Sequence, residues 1–479
     1  MTNKKDKKIK ILAWGDSVDC NTGFGVVMRG IFQNLGKTGK YEIDLIGINS
    51  AGDWYDQKEF PNIKIFPALP GISASRDYHG RQRLINAVLN KEKDISPPWD
   101  IVFTLNDPFI LDHKIHNQGK FGTMRMLVNA QISYILRAVP ETWYKIVSYF
   151  PVDSKLKANW VSDTMALPDR LVAYTKYGKK EIEEANARLK DGVVPNLDKR
   201  TSIIYHGYEK DTFKKLLETD VKEFKKGMFG DKINDETFIV SVVGRNQVRK
   251  DIPRAMKIFS EFKKRRPDSI LYIHAKANDV WGDLHAYALE FDLKVGEDVF
   301  FPSNFNERIG VSKETLNMVY NMTDVLLSAN IGEGFGLSTI EAMGAGTINL
   351  APYHTANPEL FALDSVDIDE NARGIGYKSG STKSEWAFYG PSDLIRERPL
   401  ANVEDGVKKL IWIYDNPDKV KKIEDNASKW ISNYSWKTIA KQWDTLFQDV
   451  YKELQEDRLN HEEIRKKVQQ QLGIEDGSK

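Results

Sequence analysis

Two glutamates with seven residues between them, in Glu333-Gly-Phe-Gly-Leu-Ser-Thr-Ile-Glu341, are the residues of this sequence best placed to do chemistry. A buried-strand run, Val325-Leu-Leu327, precedes them, and a tightly packed helical run, Ala342-Met-Gly-Ala-Gly346, follows. A strand, a glycine-bearing turn and a helix N-terminus make an anion site, because backbone N–H groups and the helix dipole face the same point. Gly334, Phe335, Gly336, Leu337 and Ser338 supply the N–H groups of that turn. Carboxylates on either side would repel phosphate, so Glu333 and Glu341 suit the hydroxyls of a sugar or ribose. The combination points to a nucleotide-sugar pocket. Glu341 also reads as a helix-capping carboxylate.

Further segments fall where strands should end. Gly244-Arg-Asn-Gln-Val-Arg-Lys-Asp251 follows an apolar strand, and Arg245 with Lys250 suits a pyrophosphate: one a forked donor, the other a compact charge. In isolation the same loop reads as a solvated basic turn. Thr22-Gly-Phe-Gly25 follows the first strand. There Gly23 and Gly25, with Phe24 between them, let backbone N–H groups approach a phosphate, although a tight turn without ligand reads equally well. The dinucleotide fingerprint is broken by Met28 where its third glycine belongs. Asp153, in Phe150-Pro-Val-Asp153, either faces a cleft from the acceptor side or forms a turn after Pro151. Asn106-Asp-Pro108 holds a similar place and reads first as a turn. Pro302-Ser-Asn-Phe305, with Asn304, is expected to border a base. Three patterns carry no chemistry. Gly36-Lys-Thr38 ends a helix and has Ile31 where a phosphate-binding loop needs glycine. Asp367-Ile-Asp369 lacks a preceding strand and reads as surface. The eight histidines show no metal-ligand spacing.

The elements that must position these residues alternate. Strands are predicted over 9–14, 43–47, 63–66, 101–105, 146–150 and 170–173, with helical spacing between several of them and a first helix over 26–35. The pattern restarts with strands over 202–205, 238–243, 271–274, 299–302 and 325–327 and a helix over 251–264. Alternation of this kind predicts two parallel, doubly wound α/β sheets. A Gly/Pro/Asn/Asp-bearing stretch over 191–199 marks the boundary, giving domains over 1–195 and 200–433. Three helices close the ordered part, over 403–415, 417–433 and 436–453, and a charged tail over 456–479 reads as a partner helix or, more simply, a solvated fraying one.

At 479 residues the chain exceeds one core. A hydrophobic fraction of 41%, a charged fraction of 29% and a net charge of +1 give no bulk argument for nucleic acid or membrane. Cys20 is the one cysteine, which excludes an internal disulfide framework and a cysteine metal cluster. No apolar run reaches transmembrane length, and no signal peptide is recognised before Ile9, so the expected compartment is a reducing cytoplasm.

Together these segments resemble a GT-B glycosyltransferase of the family 4 type (the group 1 glycosyltransferases), over most of the chain from Ile9 to about Leu454. The motifs that carry the resemblance are Gly244-Arg245 with Lys250 and the paired glutamates. Ile204-Tyr-His-Gly-Tyr-Glu-Lys-Asp-Thr-Phe213 is similar to the family's interdomain strand and turn, and Tyr434-Ser-Trp-Lys-Thr-Ile-Ala440 to its final helix. The first domain is similar to phage-encoded members, which would make the compartment a host cytoplasm. The resemblance implies two Rossmann-like domains facing a cleft, with a helix over 434–455 crossing back to the first. It implies a retaining, metal-independent transfer from a nucleotide diphosphate sugar to an acceptor hydroxyl, with no cofactor beyond the donor. Arg245 and Lys250 would bind the diphosphate, Glu341 the ribose, Glu333 the transferred sugar, and Gly23 and Gly25 would close over the phosphates. Asp153 stands where the family often has histidine, so its role on the acceptor side is open. The acceptor is open too: a saccharide, a lipid-linked or small molecule, or a modified DNA base. Another GT-B reaction, or a sugar-nucleotide binding protein without turnover, is the alternative. The oligomeric state is not readable.

Overall fold

The computed structural model describes residues 7–50, 52, 55–69, 77–112, 122–190, 192–279, 282–302, 310–389 and 396–474. Two compact units emerge: Met1–Pro151, Leu156–Gly207 and Trp436–Lys479 make the first, and Val152–Lys155 with Tyr208–Ser435 make the second.

The first unit is built on seven parallel strands. They are β1 (Ile9–Asp16), β2 (Tyr41–Ile48), β3 (Ile63–Pro67), β4 (Ile101–Leu105), β5 (Lys145–Phe150), β6 (Arg170–Ala173) and β7 (Thr201–Ile203), in spatial order β3-β2-β1-β4-β5-β6-β7. The central strands are apolar on both faces, as a sheet covered by helices on both sides requires. The order reverses between β1 and β4, so the crevice at their carboxyl ends is where ligands bind in such sheets. Sequence reading had started the second domain at residue 200. Thr201–Ile203 instead pairs with β6, Leu171 opposite Thr201, and closes the first sheet. The polar stretch before it is the connection from helix Lys176–Ala187 through the short helix Leu197–Arg200 to that edge strand.

Helix Trp436–Leu459 also belongs to the first unit and packs on helix Gly23–Lys37. Gly30 makes the contact possible: a β-carbon there would overlap the Trp436 indole. Further along, Trp443 and Phe447 enter the core, with the Trp443 ring 5.5 Å from Phe103 and 4.9 Å from Tyr149. Helix His461–Gln471 lies against helix Thr123–Leu136, although it buries no residue completely.

The second unit repeats the first plan with six parallel strands. β8 (Phe238–Val243), β9 (Ser269–His274), β10 (Val299–Phe300), β11 (Val325–Leu327), β12 (Ile348–Pro352) and β13 (Ile375–Tyr377) lie in the order β10-β9-β8-β11-β12-β13. The order reverses between β8 and β11. A two-stranded antiparallel hairpin, Trp386–Tyr389 with Arg396–Pro399, is added after β13. Among the described residues no helix is long and apolar enough to cross a membrane.

Candidate functional site

Lys250 reaches the reversal point of the second sheet from the loop after β8. That loop closes with a single turn, Val248–Lys250, and Asp251 follows in the left-handed conformation at φ 45° before helix Ile252–Lys263 begins. Glu333 arrives from the neighbouring loop after β11. The two loops are tied by their backbones, with the Ile331 N–H donated to the Arg249 carbonyl at 2.8 Å. Their side chains then meet: Lys250 Nζ lies 2.5 Å from Glu333 Oε2, and Arg249 Nη1 lies 3.4 Å from Glu333 Oε1. Glu333 is 9% exposed. Burial alone would raise its pKa, but Lys250 and Arg249 outweigh that and hold it down at about 2. Burial lowers the Lys250 pKa, Glu333 works against that, and Arg249 adds to it. We read the pair as ionised, because a buried carboxylate held this low has its counter-charge in contact.

Helix Leu337–Ala345 starts beside this pair. Its N-cap is Gly336 at φ 108°, a conformation that suits glycine, and no side chain caps it. A β-carbon on Gly336 would sit 3.5 Å from Glu333 Cγ, so the carboxylate stem passes directly under the helix start. Gly334 and Phe335 are buried in the turn, and Leu337 and Ser338 are half-buried at the first helical positions. Ser338, Glu333, Lys250 and Asn330 line one pocket at the strand ends. Glu341 does not cap the helix. It accepts a hydrogen bond from Tyr320 Oη at 2.8 Å, and burial raises its pKa to about 7, with Lys313 pulling the other way and Glu209 adding to the rise.

Arg245 is not brought to Glu333. It pairs with Asp279 instead, Nε to Oδ2 at 3.5 Å, with its side chain 54% exposed. Arg249, four positions on in the same loop, is the cation at the carboxylate. The basic loop was visible in the sequence, but nothing there decided which of the two arginines turns inward. Asp153 clusters with the second unit. Arg398 of the hairpin clamps it twice, Nη2 to its Oδ1 at 3.0 Å and Nη1 to its backbone carbonyl at 2.9 Å. Gly332, adjacent to Glu333, presses against Asp153 and Arg398 so closely that a β-carbon would overlap both. Arg398 had no local signal, since its partner lies far away in sequence. Asn304 lies outside the described residues.

In the first unit, Gly23 opens helix Gly23–Lys37 and Phe24 follows it. Thr22 caps the helix, its Oγ1 accepting the Gly25 N–H at 3.0 Å, so that N–H is already taken. Gly25 is needed for packing, because a β-carbon there would lie 2.6 Å from the Cys20 carbonyl oxygen. Asp16 accepts a short hydrogen bond from Thr22, and burial raises its pKa.

No family model matches this chain, and no curated protein matches it. Solved structures do. Over 92% of this chain and all of the other, the chain is similar to HepE of Anabaena in complex with UDP-glucose, at 13% identity and a TM-score of 0.61. It is similar to sucrose-phosphate synthase from Thermosynechococcus elongatus over 93% of this chain and 99% of that one, at 14% identity and a TM-score of 0.65. A glycosyltransferase from Rickettsia africae is similar over 94% and 99%, at 14% identity and a TM-score of 0.60. At such identities the likeness is one of fold, and the fold is the two-unit α/β arrangement shared by these proteins.

Proposed function

We propose that this chain is a glycosyltransferase that moves a sugar from a nucleoside diphosphate sugar to an acceptor hydroxyl. The observation that carries the reading is the buried Glu333–Lys250–Arg249 cluster at an uncapped helix N-terminus, on the reversal point of a doubly wound sheet. Fold likeness to a structure holding UDP-glucose makes UDP-sugars the first donors to test.

In this reading the donor diphosphate lies over the start of helix Leu337–Ala345, held by Lys250 and Arg249, with Arg245 at the rim. Glu341 accepts the ribose hydroxyls and Glu333 those of the transferred sugar. Breaking the anomeric C–O bond leaves positive charge on the sugar and negative charge on the diphosphate, which the cations and helix N–H groups stabilise. The acceptor oxygen bonds to the anomeric carbon on the face the diphosphate leaves. Its proton passes to a diphosphate oxygen, and bonding on that same face gives retention. Asp153, held by Arg398, orients this side of the site. The side-chain cations do the electrostatic work, so the proposal includes turnover without a divalent metal and without any cofactor beyond the donor. It also places the reaction in the cytoplasm.

A thermal-shift screen against UDP-, GDP- and ADP-sugars, followed by product analysis with labelled donor, tests the reading. We expect one donor class to stabilise the protein and its sugar to appear on an acceptor with unchanged anomeric configuration. Replacing Glu333 by Gln should cut transfer by about a hundredfold or more, on the scale of losing one transition-state contact. No stabilisation by any nucleotide sugar and no transfer would sink the assignment.

A further inference from the structure

Thr355 has a backbone that its side chain should avoid. Its φ is 50°, in the left-handed region, which a β-branched residue seldom holds. Strain of this kind persists where the surroundings over-determine it. The surroundings here are the Glu333 loop. Thr355 Oγ1 accepts the Glu333 N–H at 3.1 Å. The same oxygen lies 3.1 Å from Nδ1 of His354, and Nε2 of His354 lies 2.9 Å from the Asn330 carbonyl oxygen.

With the imidazole neutral, these distances fix every proton in the relay. A carbonyl only accepts, so Nε2 carries the hydrogen. Nδ1 is then the acceptor, and the Thr355 hydroxyl must donate to it, leaving its oxygen free for the Glu333 N–H. The imidazole has to be neutral for this, and burial keeps its pKa down at about 4. The relay begins and ends on the same loop, at Glu333 and at Asn330, and its middle stands on the turn that follows β12.

We propose that Thr355 and His354 are positioning residues: a one-tautomer hydrogen-bond relay from the Glu333 N–H to the Asn330 carbonyl that holds Glu333 in the geometry needed to grip the transferred sugar. The catalytic part of this inference rests on the function proposed above, but the relay itself does not. Glycine would meet the backbone demand at position 355 without strain. A threonine retained there is explained by its hydroxyl.

The test uses the full chain with 15N-labelled histidine and glutamate. The His354 ring should report hydrogen on Nε2 and remain neutral from pH 8 down to pH 5.5. Thr355→Val keeps the shape and removes the hydroxyl, so it should shift the Glu333 amide resonance. Thr355→Ser should restore it. With a donor in hand, Thr355→Val should lower kcat roughly ten- to hundredfold, the scale of a small misplacement near the reacting atoms. Binding of the nucleoside diphosphate without its sugar should stay within about twofold. Thr355→Gly, which relieves the backbone strain but also lacks the hydroxyl, should show the same loss of kcat. Hydrogen on Nδ1, or a Glu333 amide unmoved in Thr355→Val, would overturn the relay whether or not any donor is ever turned over. A relay confirmed in the parent, with kcat unchanged in Thr355→Val, would overturn its positioning role alone.

Discussion

In the proposed function Glu341, whose pKa burial raises to about 7, gives the donor site a pH dependence with a definite sign. Burial makes its neutral form the favoured one below about 7. The ionised form offers both oxygens as acceptors to the ribose hydroxyls of the proposed donor, whereas the neutral form turns one of them into a donor. Activity therefore falls as pH falls. Between pH 8 and pH 6 the ionised fraction drops about tenfold, and kcat/KM for the donor should drop by a similar factor, since that ratio reports groups on the free enzyme. Glu341→Gln should flatten this limb and lower the plateau. A limb that survives the substitution would assign the titration elsewhere. Glu333 behaves oppositely: held near about 2, it stays charged through the whole working range and contributes no limb of its own.

Between elements, helices Gly23–Lys37 and Trp436–Leu459 cross with Gly30 pressed on the Trp436 indole. Gly30→Ala should gain about 1 kcal/mol in helix propensity. It would also drive a methyl group into a rigid, buried indole, and overpacking of that kind costs about 1–3 kcal/mol. We expect a net loss, read as a lower urea midpoint with an unchanged slope. Adding Trp436→Phe should recover part of it. If Gly30→Ala is as stable as the parent, the helices have more room than their side chains show. The same elements show what sequence reading reaches. Apolar runs bounded by polar turns were enough for β1 to β11, although β7 was read as opening the second domain. β12 and β13 were missed. Ile348-Asn-Leu-Ala-Pro352 follows a helix across only Gly346 and Thr347, and Ile375-Gly-Tyr377 is too short to show a period. The place of Glu333 and Lys250 at the ends of neighbouring strands was legible from their loops. Arg249, Arg398 and Thr355 were not, because each acts through a partner brought close only by folding.

For the molecule as a whole, the first unit is assembled from chain segments that the second unit separates. Helix Trp436–Leu459 buries Trp436, Ile439, Ala440, Trp443, Phe447, Val450 and Leu454. Each large apolar side chain is worth about 1.5–3 kcal/mol when buried, so the helix contributes on the order of 10 kcal/mol. That is the scale of a whole domain's stability. A fragment over 1–207 should therefore lack a cooperative melt by circular dichroism, and joining 436–474 to it through a flexible linker should restore one. A sharp, reversible transition in 1–207 alone would show that the helix is an accessory to a core that folds without it.

That discontinuity also decides how the protein would answer to force. In the chain, the second unit is an insertion between β7 and helix Trp436–Leu459. Handles fixed near Ile9 and Leu459 both grip the first unit, so tension runs through its sheet and its returning helix while the inserted unit hangs outside the line of pull. Only after that helix peels away would the second unit feel the load.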